Sequence, residues 1–340
     1  MWGVTGPDII DRKRGSWNDK MAILPDDLKT AIDKYNDEAM TVLQKFAKHV
    51  ESKSPPKLIY HYTDDAGLKG IIENGTLWFT DVFNLNDPSE IRHGFSEAVS
   101  VLESKASGSH EEISRFVKAF KLFDVEIEEA ANLFVCCFSG NGDELGQWRA
   151  YADDGRGYAL GFHTDILEKA FTEKGGAPDP QHLTFWVNHN DGDLRRLQGE
   201  IADKMVPIIP LAFTTGLNSF MFGNCGNVYR SELSVAHAAN AAWGVFFFKH
   251  EAYKNENEYR FLQVYGRDHK GLDVKYRRRA YSLVRYRAFD WKSTAPGALS
   301  LIRVGPAADK QKTRRFAKHC LDAFHSTKNI EIDYSLIPYR

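Results

Sequence analysis

The chain has 340 residues, 43% hydrophobic and 26% charged, a composition that argues against disorder and a length that buries a core without disulfide or metal staples. Forty-four Lys and Arg against 46 Asp and Glu leave a net charge of -2, which argues against wholesale binding of nucleic acid or anionic membrane but is silent about a local patch. Cys136, Cys137, Cys225 and Cys320 are the four cysteines, and the adjacent pair within an apolar run reads as buried thiols in a reducing cytoplasm rather than as a disulfide framework.

Residues 1 to about 20 lack periodicity and read as a loose arm. The start shows no apolar leader, and the greasiest later stretch, Val206 to Phe222, is broken by Pro210, Thr214, Thr215 and Asn218, so neither an export signal nor a membrane span is expected. From Pro25 to about Glu51, Leu28, Ile32, Met40, Leu43, Phe46 and Val50 recur at helical spacing. Ser52 to Pro56 then breaks the chain. The reading is therefore an N-terminal arm and helix over 1–56 followed by a single elaborated α+β domain over 57–340, with helical insertions at about 88–131 and 164–250.

Within that domain, a strand at Leu58 to Tyr62 precedes a helix from Asp64 to Asn74, with Thr63 as N-cap and Gly75 after its end, and then a strand at Thr76 to Thr80. Helices are expected from Pro88 to about Lys105, from His110 to about Ala131 and over the alanine-rich Ala236 to Ala242. Between them lie strands at Leu133 to Phe138 and Gly157 to His163 flanking a short helix at Leu145 to Ala152, and a further strand is expected at Leu183 to Val187. Strands at Tyr259 to Tyr265, Leu272 to Tyr276, Tyr281 to Tyr286, Leu301 to Val304 and Ile330 to Asp333, with one helix at Ala308 to Phe324, complete the chain. Strand and helix mix without regular βαβ alternation, which favours a mixed or antiparallel β core.

Glu256 and Glu258 open a predicted strand, and a spacing of two would put both carboxylates on one face. So close a pair could divide labour, one ionised and one moving a proton. The plainer alternative is a solvated strand end neutralised by Arg260. His61, between Tyr60 and Tyr62 at a strand-to-helix junction, suits nucleotide binding or a satisfied core position. Asn84 to Glu90 reads first as a turn and helix start. Gln147, Trp148 and Tyr151 read as core aromatics and their neighbour. Arg277, Arg278 and Arg279 lie in a basic stretch interleaved with Tyr276, Tyr281 and Tyr286; a solvated edge strand is the default, and a weak nucleic-acid contact the alternative. The twelve histidines show no HExxH or paired-cysteine spacing, so no metal is expected.

Tyr60-His61-Tyr62-Thr63, Leu85-Asn86-Asp87-Pro88 with Glu90, Cys137-Phe138-Ser139, Trp148 with Tyr151-Ala152, Gly157 with Leu160-Gly161-Phe162, Glu256 with Glu258-Tyr259-Arg260, and Ser335 to Arg340 together resemble one bacterial family, domain of unknown function 2971, over about Leu58 to Arg340. Tyr253 departs from it, standing where many relatives have tryptophan. A second resemblance, in the order of His61, an aromatic strand and Glu256-x-Glu258, is to the ADP-ribosyltransferase fold. It implies NAD as substrate. His61 would hold a ribose or the nicotinamide amide, and Glu258 the ribose 2′-hydroxyl and the oxocarbenium-like transition state. Glu256 would orient or deprotonate an unknown protein or nucleic-acid acceptor, and Tyr62, Thr63, Thr80 and Arg260 would complete the NAD contacts. The competing reading is a non-catalytic nucleotide- or nucleic-acid-binding module, and a metal-dependent nuclease using Asp87, Glu90, Glu256 and Glu258 is a third.

Overall fold

Hydrophobic spacing decides where the helices lie. The computed structural model describes residues 24–50, 54–85, 89–106, 111–120, 131–175, 181–211, 233–234, 236–238, 240–241, 246–266, 269–325 and 330–338. Helix α1 (Asp26–Val50) buries Leu28, Ile32, Tyr35, Ala39, Val42, Leu43 and Phe46, a single stripe at the 3.6-residue period. The stripe packs with α3 (Ser89–Ala106), α4 (Glu111–Phe120) and α7 (Asp191–Met205) in one core on one face of the sheet. On the opposite face lie α2 (Asp65–Asn74), α6 (Thr164–Thr172), the short α8 (Trp291–Thr294) and α9 (Lys310–Phe324). A short α5 (Leu145–Tyr151) carries Trp148 into a small third cluster with Tyr62, Ala152 and Ala159.

The strands are β1 (Leu58–Thr63), β2 (Thr76–Asp81), β3 (Ala131–Ser139), β4 (Tyr158–His163), β5 (Gln181–Trp186), β6 (Glu258–Gly266), β7 (Lys275–Arg279), β8 (Ser282–Asp290), β9 (Leu299–Val304) and β10 (Glu331–Tyr334). They form one mostly antiparallel sheet with the path β10-β9-β4-β1-β3-β2-β8-β7, and β6 and β5 branch from β3; β10 and β9 run parallel. Strand β3 is buried on both faces: Leu133 and Val135 enter the first core, Phe134, Cys136 and Phe138 the second. That two-sided burial explains its unbroken apolar sequence. The chain is α+β with a mixed, mostly antiparallel open sheet, as the sequence predicts.

On one side β3 pairs with β6 along its whole length, from Ala131–Gly266 to Ser139–Glu258. On the other it meets β1 only at Tyr60–Ser139 and β2 only at Thr80–Val135 and Asp81–Phe134. Between those contacts the sheet parts. This gap positions His61.

Several boundaries differ from expectation. Asp64, not Thr63, caps α2: its carboxylate accepts from Gly67 N at 2.7 Å. The predicted Leu272–Tyr276 strand begins only at Lys275, because Gly271 at φ 82 and a Val274 N to Leu272 O bond of 3.1 Å make those residues a turn. Tyr281, expected within the next strand, is instead the left-handed residue of the β7–β8 turn at φ 63. The helix predicted to reach Ala131 is described only as Glu111–Phe120. The N-terminal arm, Asn86 to Pro88 with Asp87, Cys225, and the closing Tyr339-Arg340 lie outside the described residues. Among the described residues no helix is long and apolar enough to cross a membrane, and Cys136, Cys137 and Cys320 are free thiols.

Candidate nucleotide site

Glu256 and Glu258 come together, but not by strand alternation. Glu256 ends a 3-10 turn, Glu251–Glu256, and Asn257 reverses the backbone at φ 44 before Glu258 opens β6. Lys249 does the joining. Its buried ammonium lies 2.6 Å from Glu256 Oε2 and 3.2 Å from Glu258 Oε2. Arg260, two residues on along β6, grips Glu258 through Nε to Oε1 at 2.7 Å and a second nitrogen to Oε2 at 3.2 Å, and donates to Phe246 O at 3.2 Å. Burial by itself would raise the Glu258 pKa, but the Arg260 guanidinium and the Lys249 ammonium outweigh it and hold the carboxyl well below the usual carboxylate range. Tyr151 donates to Glu256 Oε1 at 3.3 Å, and its phenol is pushed up by burial and by that carboxylate. Tyr253 covers the Lys249 ammonium at 4.7 Å from its ring centroid.

His61 and Glu258 approach the same residue from two sides. Cys137 faces Arg260 across the β3–β6 ladder, and its thiol is hydrogen-bonded to the Glu258 carboxylate. The Cys137 carbonyl points the other way, into the gap between β1 and β2, where His61 Nδ1 meets it at 3.3 Å. The His61 ring lies edge-on to Phe138 at 5.8 Å. Burial lowers the His61 pKa against the pull of the Cys137 carbonyl, and the charge of Arg277 lowers it further.

Arg277 belongs to the face beyond the gap. Residues opposite one another in an antiparallel pair share a face, so Thr80, Tyr286 and Lys275 form one row, with Trp78 and Ala288 in the next. Arg277 reaches from β7 to donate to Thr80 Oγ1 at 3.2 Å and lies over Trp78 at 5.6 Å from the ring centroid. Trp78 and Tyr286 pack as a tilted pair at 4.5 Å. Trp78 nevertheless remains 42% exposed. Among the described residues Arg277 forms no ion pair with a carboxylate; its side chain donates to the Thr80 hydroxyl, and its Nε is buried without an acceptor. Burial and the neighbouring Arg279 make its charge harder to hold.

The sequence-derived candidates therefore fall into separate places. Glu256, Glu258 and Arg260 form the ion-pair cluster, while His61 and Thr80 belong to the gap and to the face beside it. Tyr62 is a packing residue: it lies against Trp148 at 4.8 Å, donates to Asn141 O at 2.8 Å and accepts from Glu144 N at 3.2 Å. Thr63 lies over the first turn of α2, where a Cβ on Gly67 would meet its hydroxyl at 1.9 Å. Arg278 and Arg279 are exposed on an edge strand, the default expectation. Lys249 is a site residue that sequence reasoning misses, and Trp78 enters it only as one of the aromatics of the second strand. The signals for them are slight: a single cation closing the Phe246-Phe247-Phe248 run, and a tryptophan on the polar side of a strand that otherwise alternates.

Residues 147–261 match the family described as protein of unknown function (DUF2971). Over that stretch, about a third of its length, the chain is similar to this family. The matched segment runs from Gln147 in α5 to Phe261 in β6, shorter than the span the motifs suggest, and it contains the Lys249, Glu256, Glu258 and Arg260 cluster but not His61, Thr80 or Arg277. Neither a curated protein nor a solved structure matches the chain.

Proposed function

We propose that this protein is a non-catalytic nucleotide-binding module, with the ligand's phosphate at Arg277 and its base against Trp78 and Tyr286. The observation that carries the reading is Arg277: a half-buried guanidinium with a buried Nε lacking an acceptor, beside an aromatic pair of which Trp78 is exposed. A cation desolvated without a counter-charge is costly unless a bound anion completes it. Guanidinium and phosphate match in geometry, and a ring face suits any base. Free thiols at Cys136 and Cys137 fit a reducing, cytoplasmic setting.

Glu258 argues for binding over turnover. Both its oxygens are engaged by Arg260 and Lys249, so a ribose hydroxyl or an oxocarbenium would have to displace a buried cation to use the charge. The second reading is NAD-dependent ADP-ribosyl transfer to an unknown macromolecule. It is favoured by His61 and Glu258 flanking Cys137. Equilibrium dialysis against labelled NAD and AMP, with released nicotinamide measured in the same samples, separates the two. Saturable binding without nicotinamide supports the module; nicotinamide release that Glu258→Gln abolishes supports the transferase.

A further inference from the structure

The cationic face extends past Arg277. Strand β7 is the outermost strand at its end of the sheet and is exposed throughout except at Arg277. Alternation puts Lys275, Arg277 and Arg279 on the face that carries Trp78, Thr80 and Tyr286. A rise of about 3.4 Å per residue separates successive members of that row by about 7 Å, close to two steps of a stacked nucleotide chain at about 3.4 Å each. One mononucleotide phosphate would engage only one of these positions.

Lys275 faces Asp273 at 3.8 Å with both side chains well exposed, an interaction that water and salt largely screen. Arg279 is steadied by donating to Asn84 O at 3.1 Å. The aromatic pair narrows the class of ligand further. An acidic peptide could satisfy the cations but would leave Trp78 and Tyr286 unused, and a duplex hides the faces of its bases. Only unpaired bases present a free ring to Trp78 while their phosphates follow the strand.

We infer that the ligand of this face is single-stranded nucleic acid, laid along β7 with phosphates on Lys275, Arg277 and Arg279 and an unpaired base on Trp78. This rests on the nucleotide-binding reading above and names its substrate class. Capture is short-range, because a whole-chain charge of -2 supplies no steering toward a polyanion.

Fluorescence anisotropy with an end-labelled oligothymidylate of about twelve nucleotides tests it, at about 50 and 200 mM salt. Three phosphate contacts predict a slope of about -2 in log affinity against log salt, at about -0.7 per contact. Arg277→Gln and Lys275→Ala should each flatten the slope by about 0.7. Trp78→Ala, at an already exposed position, should weaken binding about tenfold. The same sequence as a duplex should bind more weakly, and Lys310→Ala, on α9 beside Tyr334, should change nothing. The mutant comparisons use variants whose melting matches wild type; Lys275 and Trp78 are exposed enough to keep the test open if Arg277→Gln unfolds. Binding of AMP or NAD with no gain for the oligonucleotide, or equal binding of duplex and single strand, or indifference to Trp78→Ala, overturns this inference and leaves the nucleotide reading standing. Failure of mononucleotides and oligonucleotide alike overturns both.

Discussion

Lys249 is the residue on which the ion-pair cluster depends. It is a buried ammonium shared by two carboxylates, one of which also receives the Arg260 fork. Removing one member of such a group leaves an unpaired charge out of water, at about 3–5 kcal/mol. Glu258→Gln is thus expected to lower stability by about that amount, read as a fall in denaturant midpoint, and adding Lys249→Met should recover part of the loss. Unchanged stability in the single variant would mean that the cluster is solvated and its carboxylate free to act. Glu256 and Glu258 do come together, but not through the one-strand spacing that suggested it, since only Glu258 lies in β6. Their partner is not legible in the sequence, because Lys249 reaches them through the tertiary fold and a left-handed Asn257.

Among the elements, the turn into β4 tolerates little change. Gly157 N bonds Ala152 O at 2.9 Å, its carbonyl receives Gly305 N at 2.9 Å, and a Cβ there would meet Thr63 O at 2.2 Å. Backbone cannot step aside as a side chain can, so Gly157→Ala should cost several kcal/mol, on the order of other overpacked core sites. Gly70, midway along α2, would place a Cβ in open space, with nothing within 4 Å, and Gly70→Ala should raise stability by about 0.5–1 kcal/mol through helix propensity. Thermal melts of the two variants should shift in opposite directions. Helix α2 shows what local sequence conveys: its apolar Leu68, Ile71 and Ile72, and Gly75 at φ 64 after its end, are all read from the string. The cap lies one residue later than expected because Thr63 stays paired in β1, opposite Tyr158, leaving Asp64 to accept the Gly67 amide. The gap between β1 and β2 is not legible in the sequence. It arises from where two strands leave β3, a property of register rather than of any one segment.

At the scale of the molecule, helices cover both faces of the sheet, and the layer holding α1 and α4 contains a histidine with no exposure. His237 accepts or donates at Nδ1 with Tyr35 Oη at 2.8 Å, packs near Phe116 and Phe120, and its Nε2 has no partner. Burial pulls its pKa down to about 3 from an ordinary 6.5. The unfolded chain therefore takes up the proton first as pH falls, and stability drops across the window from about 6.5 to about 3. Between pH 7 and pH 5 this amounts to about 2 kcal/mol, visible as a falling denaturant midpoint that His237→Gln should flatten. The order of strand and helix signals, without regular βαβ alternation, places this chain correctly among α+β proteins, and its apolar periodicities place most strands and helices. What it could not convey is which charges end up neutralised: Glu258 is engaged on both oxygens, whereas Arg277 lacks a carboxylate among the described residues. That contrast is the basis of the functional account. Calorimetric titration of AMP into wild type and Arg277→Gln tests it most directly. Wild type should bind saturably and the variant should lose about tenfold or more in affinity, the range of one charge-assisted contact. Equal affinity in both proteins, with the variant folded, would contradict it.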